Sequence, residues 1–234
     1  MGCSQDLANI GLTAAEADTF RSDSLWNYEM GFKSSFLDRR FTANATGFII
    51  EWDNIQQLIQ LPLCGYSFTS NSGKAQSAGF EFEFNGKPLP ELTVGLGVGY
   101  NNARITQKGL TPQLVGSPVY QVPDLTLSGN AEYDRRLSGN WSGFARMDYS
   151  HTGGSYSANN SQLNLLRRPA YNLTDLRFGA RSDRLELTVF VKNLTNEHAN
   201  LSDTVLIGAE LPGQPRILIN QPRTAGIEAR MKFD

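Results

Sequence analysis

No run of about eighteen apolar residues occurs in this chain, and its mean hydropathy is -0.34, so a transmembrane helix is excluded. Histidine and cysteine each occur twice in 234 residues, too few for a His/Cys ligand cluster. Neither sign of charge dominates: 21 basic side chains face 23 acidic ones, with a net charge of -2 and a pI near 5.8. With the basic residues scattered, nothing predicts a nucleic-acid footprint. No helical period of useful length appears. The first residues, Met1-Gly2-Cys3-Ser4-Gln5-Asp6, lack the apolar run of a signal peptide, and Asp6 stands where a myristoylation motif wants Ser or Thr.

What is present is alternation. Over residues 223–233, Ala225, Ile227, Ala229, Met231 and Phe233 face one way, with Gly226, Glu228, Arg230 and Lys232 on the other. A period of two with one apolar and one polar face is a strand between two environments. The pattern recurs. Over 26–36, Trp26, Tyr28, Met30, Phe32 and Phe36 alternate with Asn27, Glu29, Gly31 and Lys33. The strand at 41–55 begins cleanly, but Phe48-Ile49-Ile50 blurs its register, which suggests a bulge or a strand projecting past a bilayer. Further strands are predicted around 80–84, 92–101, 125–133, 141–149, 171–180 and 185–192.

The strand at 141–149 places Trp141, Gly143, Ala145, Met147 and Tyr149 on its apolar face, with an aromatic residue at each end. Eight steps of roughly 3.4 Å, tilted by about 40 to 45°, span roughly 20 Å, close to the apolar band of a transmembrane barrel at about 25 Å. Tight turns and long loops take turns along the chain, with the long polar stretches at 60–76, 151–168 and 197–222 and a Gly/Pro/Gln-rich one ending near Pro123. That asymmetry fits an outer-membrane barrel with short periplasmic turns and long extracellular loops. The rival is a soluble sandwich or propeller, which also strings short strands together.

Several strings resemble one family. Trp26-Asn27-Tyr28-Glu29-Met30-Gly31-Phe32-Lys33, Asp38-Arg39-Arg40-Phe41-Thr42, Gly79-Phe80-Glu81-Phe82-Glu83, Val189-Phe190-Val191-Lys192-Asn193-Leu194-Thr195-Asn196-Glu197 and Arg223-Thr224-Ala225-Gly226-Ile227 look like the C-terminal barrel of TonB-dependent outer-membrane receptors. The resemblance implies an all-β fold: about nine consecutive C-terminal strands of an antiparallel transmembrane barrel of about twenty-two, with the plug domain absent from this sequence. Residues 1–22 would be an extracellular segment leading into the barrel, and 23–234 the C-terminal portion of the barrel itself. One departure is that Asp234 follows Phe233 where such proteins usually finish on an aromatic residue.

The function so implied is active uptake of a scarce bulky nutrient, a ferric siderophore or similar, across the bacterial outer membrane. Its partners would be outer-membrane lipid, the missing plug and barrel strands, TonB acting through that plug, and a transported ligand that remains unknown. No enzyme activity, cofactor or nucleic acid is expected. The alternative is a soluble or surface-attached structural or adhesive β-sheet protein.

Few residues invite other chemistry. Cys3 and Cys64 both fall on the extracellular side in this topology, where an oxidising surface favours a disulfide and related receptors place a cysteine pair; two unpaired thiols are the alternative. His151 and His198 lie in outer loops, and Asp148 with His151 makes no ligand cluster. Asn193-Leu194-Thr195 matches a glycosylation acceptor but sits at a strand's outer end. Gly95, Gly97 and Gly99 alternate within a strand with no helix following, which marks small lumen-facing residues and not a nucleotide loop. The inward charges, among them Glu81, Glu83, Glu132, Arg146, Asp148, Arg177 and Glu228, are expected to pair across strands or with a plug.

Overall fold

Alternation written into consecutive segments produces one sheet with two unlike faces. The computed structural model describes residues 2–61, 63–71, 73–110, 115–157, 166–204 and 216–233; the departure at Asp234 lies outside them. Two short helices, α1 (Gly2–Asn9) and α2 (Ala14–Ala17), precede β1 (Ser24–Phe36) and β2 (Phe41–Asp53). There follow β3 (Gln56–Leu61), β4 (Tyr66–Asn71), β5 (Lys74–Leu89), β6 (Leu92–Gln107), β7 (Leu125–Ser138) and β8 (Trp141–Thr152). The chain continues through β9 (Ser155–Ser157), β10 (Leu166–Arg168), β11 (Tyr171–Arg181), β12 (Leu185–Lys192), β13 (Asn200–Thr204), β14 (Arg216–Ile219) and β15 (Thr224–Met231).

Nine of these strands form one antiparallel sheet in the order β1-β2-β5-β6-β7-β8-β11-β12-β15. They coincide with the nine segments in which the sequence alternates. No pairing joins β1 to β15 among the described residues, so the sheet is open at both edges. The remaining strands form two-stranded sheets, β3-β4, β9-β10 and β13-β14, inside three of the long connections. No helix among the described residues is long and apolar enough to cross a membrane.

The register fixes which side chains share a face. Met30 stands opposite Gly47, which stands opposite Phe80, and Phe80 opposite Tyr100. Farther along, Ala131 pairs with Met147, Met147 with Leu176 and Leu176 with Val191. All belong to the apolar face predicted from the alternation, and this face is open: Met30 is 84% exposed and Ile227 80%. The buried apolar residues instead lie at the loop end, where Ile55, Ala75 and Ile105 pack with Trp52 and Val119. A soluble sandwich buries one face of each sheet against another. Here no second sheet covers the apolar face among the described residues, so the face is matched to hydrocarbon.

Strand length agrees. Both β5 and β6 have 16 residues, a rise of about 36 Å at a tilt near 45°. Their upper ends therefore stand above an apolar band of about 25 Å and carry the small loop-end core.

Three expectations need correction. The blurred stretch Phe48-Ile49-Ile50 holds no bulge: β2 pairs residue for residue with β1 and β5 through it, and Asn54, at φ 58°, ends the strand. Register shifts fall instead at Lys74/Ala75, Gly86/Leu89 and Arg136/Ser138. The polar stretches read as plain loops contain hairpins, short strands that bury single residues such as Ile59 and Ser157 by local packing and so lack the long apolar alternation of the membrane strands. Lastly, α1 forms despite its lack of a clear period, because it contacts β3 with Leu7 buried, and the Asp6 carboxylate accepts the Leu63 and Cys64 N–H groups at 2.8 and 3.2 Å. At α2, the Thr13 hydroxyl and then its N–H donate to Glu16 and hold that carboxyl below the usual carboxylate range.

Phenylalanines on the inward face explain the apparent break in pattern. Phe48 stands opposite Gly79, Phe144 opposite Gly179 and Phe190 opposite Gly226. A Cβ on Gly179 would lie 2.6 Å from the Phe144 ring, and one on Gly226 2.6 Å from the Phe190 ring. Each ring thus covers bare glycine backbone, a cross-strand pairing that shields the ladder from lumenal water. At Gly79 the constraint is double, because a Cβ would also collide with the Tyr100 carbonyl oxygen. The Gly79→Ala variant should lose about 1 to 3 kcal/mol by overpacking, whereas Gly47→Ala, whose nearest neighbour is the Gly79 carbonyl oxygen at 3.9 Å, should be neutral or slightly stabilising. Urea midpoints of the detergent-folded chain check the contrast; equal shifts would refute it.

Candidate functional site

The polar face of β7, β8, β11, β12 and β15 gathers charges that are far apart in sequence. Arg146 on β8 donates to both oxygens of Asp148, at 2.6 and 2.9 Å, and reaches Glu132 on β7 at 3.3 Å. Arg181 at the end of β11 donates to the other Glu132 oxygen at 3.0 Å and to Asp134. Glu132 therefore bridges two guanidinium groups that two different strands supply. The Arg181 guanidinium also lies 5.0 Å from the centre of the Phe144 ring, an arrangement that favours a cation over a π face. On the last strand Arg230 pairs with Glu228 at 3.0 Å.

Apart from Asp134, these groups line a hollow of about 370 Å³ on the inward face, completed by Arg177, Glu186 and Lys192. Arg177 stands opposite Arg146 in the ladder and is exposed. Like charges directly opposite repel. The charge on Arg146 is met by Asp148 and Glu132, while Arg177 has no ion-pair partner among the described residues. It is thus a free guanidinium aimed at the interior, suited to a carboxylate, a phosphate or another anion. A second hollow of about 210 Å³ is lined by Glu81, Glu83, Gly97, Gly99, Thr126 and Ser128. The side chains of Asn130, Ser128 and Thr126 lie across Gly95, Gly97 and Gly99, where a Cβ would meet them at 2.6, 2.5 and 2.7 Å. The glycine row is a strand interior that accommodates its neighbour's polar side chains.

Of the inward charges expected from sequence, Glu132, Arg146, Asp148, Arg177, Glu186, Lys192, Glu228 and Arg230 come together here. Glu29, Glu81 and Glu83 stand apart, with Glu29 held by Asn27 at 2.7 Å and Glu83 by Asn44 at 3.4 Å. Sequence reasoning missed Asp134 and Arg181, because it ended their strands at Tyr133 and Ala180. Extending the same alternation by one residue would have found both.

The residues that invited other chemistry have structural roles. His151 Nδ1 and the Tyr149 hydroxyl both lie against Asn172 Oδ1, at 2.8 and 2.7 Å. No group of three metal-binding side chains occurs among the described residues. Asn193 is buried: its amide donates to the Glu197 and Gln221 carbonyls, and its oxygen accepts the Glu197 N–H. That hub, with Asn196 accepting the Arg223 N–H, joins the end of β12 to the start of β15. Cys3 and Cys64 are bonded to each other, with Cα atoms 5.1 Å apart.

An open sheet with a lipid-matched outer face, a charged inner face and alternating short turns and long loops defines an outer-membrane β-barrel segment. The chain belongs to the family described as TonB dependent receptor-like, beta-barrel, whose model matches residues 9–194. Members of this family reside in the outer membrane of Gram-negative bacteria. Among curated proteins it is similar to the "Ferric-pyoverdine 358 receptor" of Pseudomonas putida, at 30% identity over 145 residues, which is 56% of this chain and 17% of the relative. Among solved structures it resembles the ferric yersiniabactin uptake receptor of Yersinia pestis, with a TM-score of 0.74 and 21% identity over 91% of this chain and 30% of that one. The ferripyoverdine receptor of the Pseudomonas aeruginosa outer membrane aligns over 90% of this chain and 27% of its own length, with a TM-score of 0.64 and 20% identity. The chain therefore spans under a third of the length of the relatives it matches.

Replacing Arg146 with Gln leaves Glu132 and Asp148 facing each other's charge. Their side chains are 23% and 32% exposed, so lumenal water screens part of the loss and the cost should be about 1 to 2 kcal/mol. Arg146→Gln and Arg181→Gln share Glu132, so a double-mutant cycle should show a coupling of about 0.5 kcal/mol or more. Strict additivity in unfolding from micelles would refute the bridging role.

Proposed function

We propose that this chain supplies the C-terminal wall of a TonB-dependent receptor that imports an iron(III) chelate. The single observation that carries the reading is the two-faced nine-stranded sheet, lipid-matched outside and charged inside. Such a wall conducts and holds; it performs no catalysis. Residues 1–22, carrying α1 and α2, would lie on the extracellular side, and residues 23–234 would form barrel and loops. A plug domain would occupy the lumen and meet the charged inner face, with TonB acting through the plug. Ferric chelates of the pyoverdine kind are the favoured cargo, in line with the ferric-pyoverdine and ferripyoverdine receptors that this chain resembles. Disrupting the reading frame that encodes these residues should abolish growth when a ferric siderophore is the sole iron source and leave growth on ferrous salt unchanged. Unchanged growth on the siderophore would count against the reading.

The lipid-facing register can be tested separately. Ala145 lies on the outer face between Tyr133 and Phe178, and Arg146 beside it faces the lumen. An Ala145→Arg substitution near mid-membrane should cost about 2 to 4 kcal/mol in bilayer folding. The inward Ser128→Arg should cost much less. Equal tolerance of the two would overturn the assignment of faces.

The Cys3–Cys64 bond is proposed to be oxidised in exported protein. It would close a loop whose ends are 61 residues apart and contribute about 4 kcal/mol by restricting the unfolded chain, less where the loops are already ordered. Neither thiol should react with an alkylating agent until a reductant is added. Quantitative alkylation of both without reductant would refute the bond.

A further inference from the structure

We propose that the short-turn end of this sheet is a docking band for anionic phospholipid, in which exposed leucines enter the acyl chains and unpaired cations hold headgroup phosphates. The inference rests on the barrel reading, which makes these turns periplasmic. Leu37, Leu89 and Leu137 sit in or beside the turns of the β1-β2, β5-β6 and β7-β8 hairpins, which are consecutive in the sheet, and are 65%, 51% and 62% exposed. Two of them lie on the outer face. Leu89 stands opposite Leu92, itself opposite Tyr133, and a Cβ on outward-facing Gly143 would lie 3.2 Å from Leu137 Cδ1. The leucines thus extend the lipid face to its lower rim.

The same turns are basic. Residues 37–40, 87–91, 135–140 and 182–184 carry Arg39, Arg40, Lys87, Arg135, Arg136 and Arg184 against Asp38, Glu91 and Asp183. Some of the cations are engaged: Arg40 donates to the Lys87 and Pro88 carbonyls at 3.0 and 2.8 Å, and Arg136 to that of Gly139 at 3.1 Å. Arg39, Lys87 and Arg135 are exposed, and their side chains have no hydrogen-bond or ion-pair partner among the described residues. Arg135 follows Tyr133 by two positions and so shares its lipid-facing side. At the opposite end, Lys74 pairs with Asp53 at 2.7 Å and Arg104 donates to Asn102 at 2.7 Å. Free cations beside exposed leucines, contiguous with the membrane face, match a phosphate layer above hydrocarbon. A soluble anion would meet the charges but leave the leucines in water.

The test mixes the full chain, folded in neutral detergent, with vesicles of phosphatidylcholine alone or doped with phosphatidylglycerol, and reads co-flotation. Anionic vesicles should be preferred, with a preference that falls as salt rises. The Arg39→Gln, Lys87→Gln, Arg135→Gln triple variant should lose roughly fivefold of that preference per charge removed. Lys74→Gln with Arg104→Gln should leave it unchanged. Free glycerol phosphate should not compete; full competition would reduce the band to a simple phosphate site and overturn the proposal. Equal flotation with both vesicle types, or an equal loss in the control pair, would overturn the band alone. A vesicle-indifferent, water-soluble monomer would overturn the barrel reading with it.

Discussion

The nine-stranded sheet follows from one constraint: a strand in hydrocarbon must satisfy each backbone N–H and C=O sideways, because the solvent offers no partner. The seven strands between β1 and β15 have a neighbour on each side, and the two edge strands have one. An odd number of antiparallel strands cannot close on itself antiparallel, since β1 and β15 run the same way. Closing them in parallel would leave a lumen too narrow for a bulky ligand or a plug. The ladder therefore points outward from both edges to further strands, and the length of the chain's relatives is consistent with that demand.

Once the ladder is fixed, each position has only two environments to choose from, and the side chains divide accordingly. Outward positions carry apolar and aromatic residues without a protein core to bury them. Inward positions carry charge, but not at random: Glu132 takes one guanidinium from β8 and another from β11, so the network spans three adjacent strands. Arg177 interrupts this economy of pairing. A cation left free directly opposite another cation is costly to keep, and an anionic occupant of the lumen would relieve that cost.

The nine membrane strands were legible because their alternation is imposed by solvent on both sides, lipid at Ile227 and water at Glu228, and it survives even where packing is absent. Phe48 disturbed the pattern for a reason invisible along one strand: like Phe144 and Phe190, it covers a glycine on the next. The loop hairpins were illegible for the opposite reason. A strand such as β3, with Leu58 62% exposed and Ile59 4%, answers to α1 and to local packing, and no membrane repeats its signal. Asp134 and Arg181 were lost to strand boundaries, which sequence places poorly even when the period is clear.

The loops are also where the chain stops behaving as a repeat. Asp6 accepts two N–H groups beside Cys64, residues 21–23 are tied to Trp52, Asn54, Gln56 and Asn71, and Asn193 joins β12 to the approach of β15. These bonds are side chain to backbone for the most part, and those at residues 21–23 act where water competes for them. A net gain of about 1 kcal/mol for each is small; their effect is to choose one loop arrangement among many. The membrane sheet needs no such device, because lipid already forbids its alternatives. Order in the sheet is imposed by solvent, and order in the loops by named residues, so a receptor of this build can vary its loop chemistry while its wall remains the same.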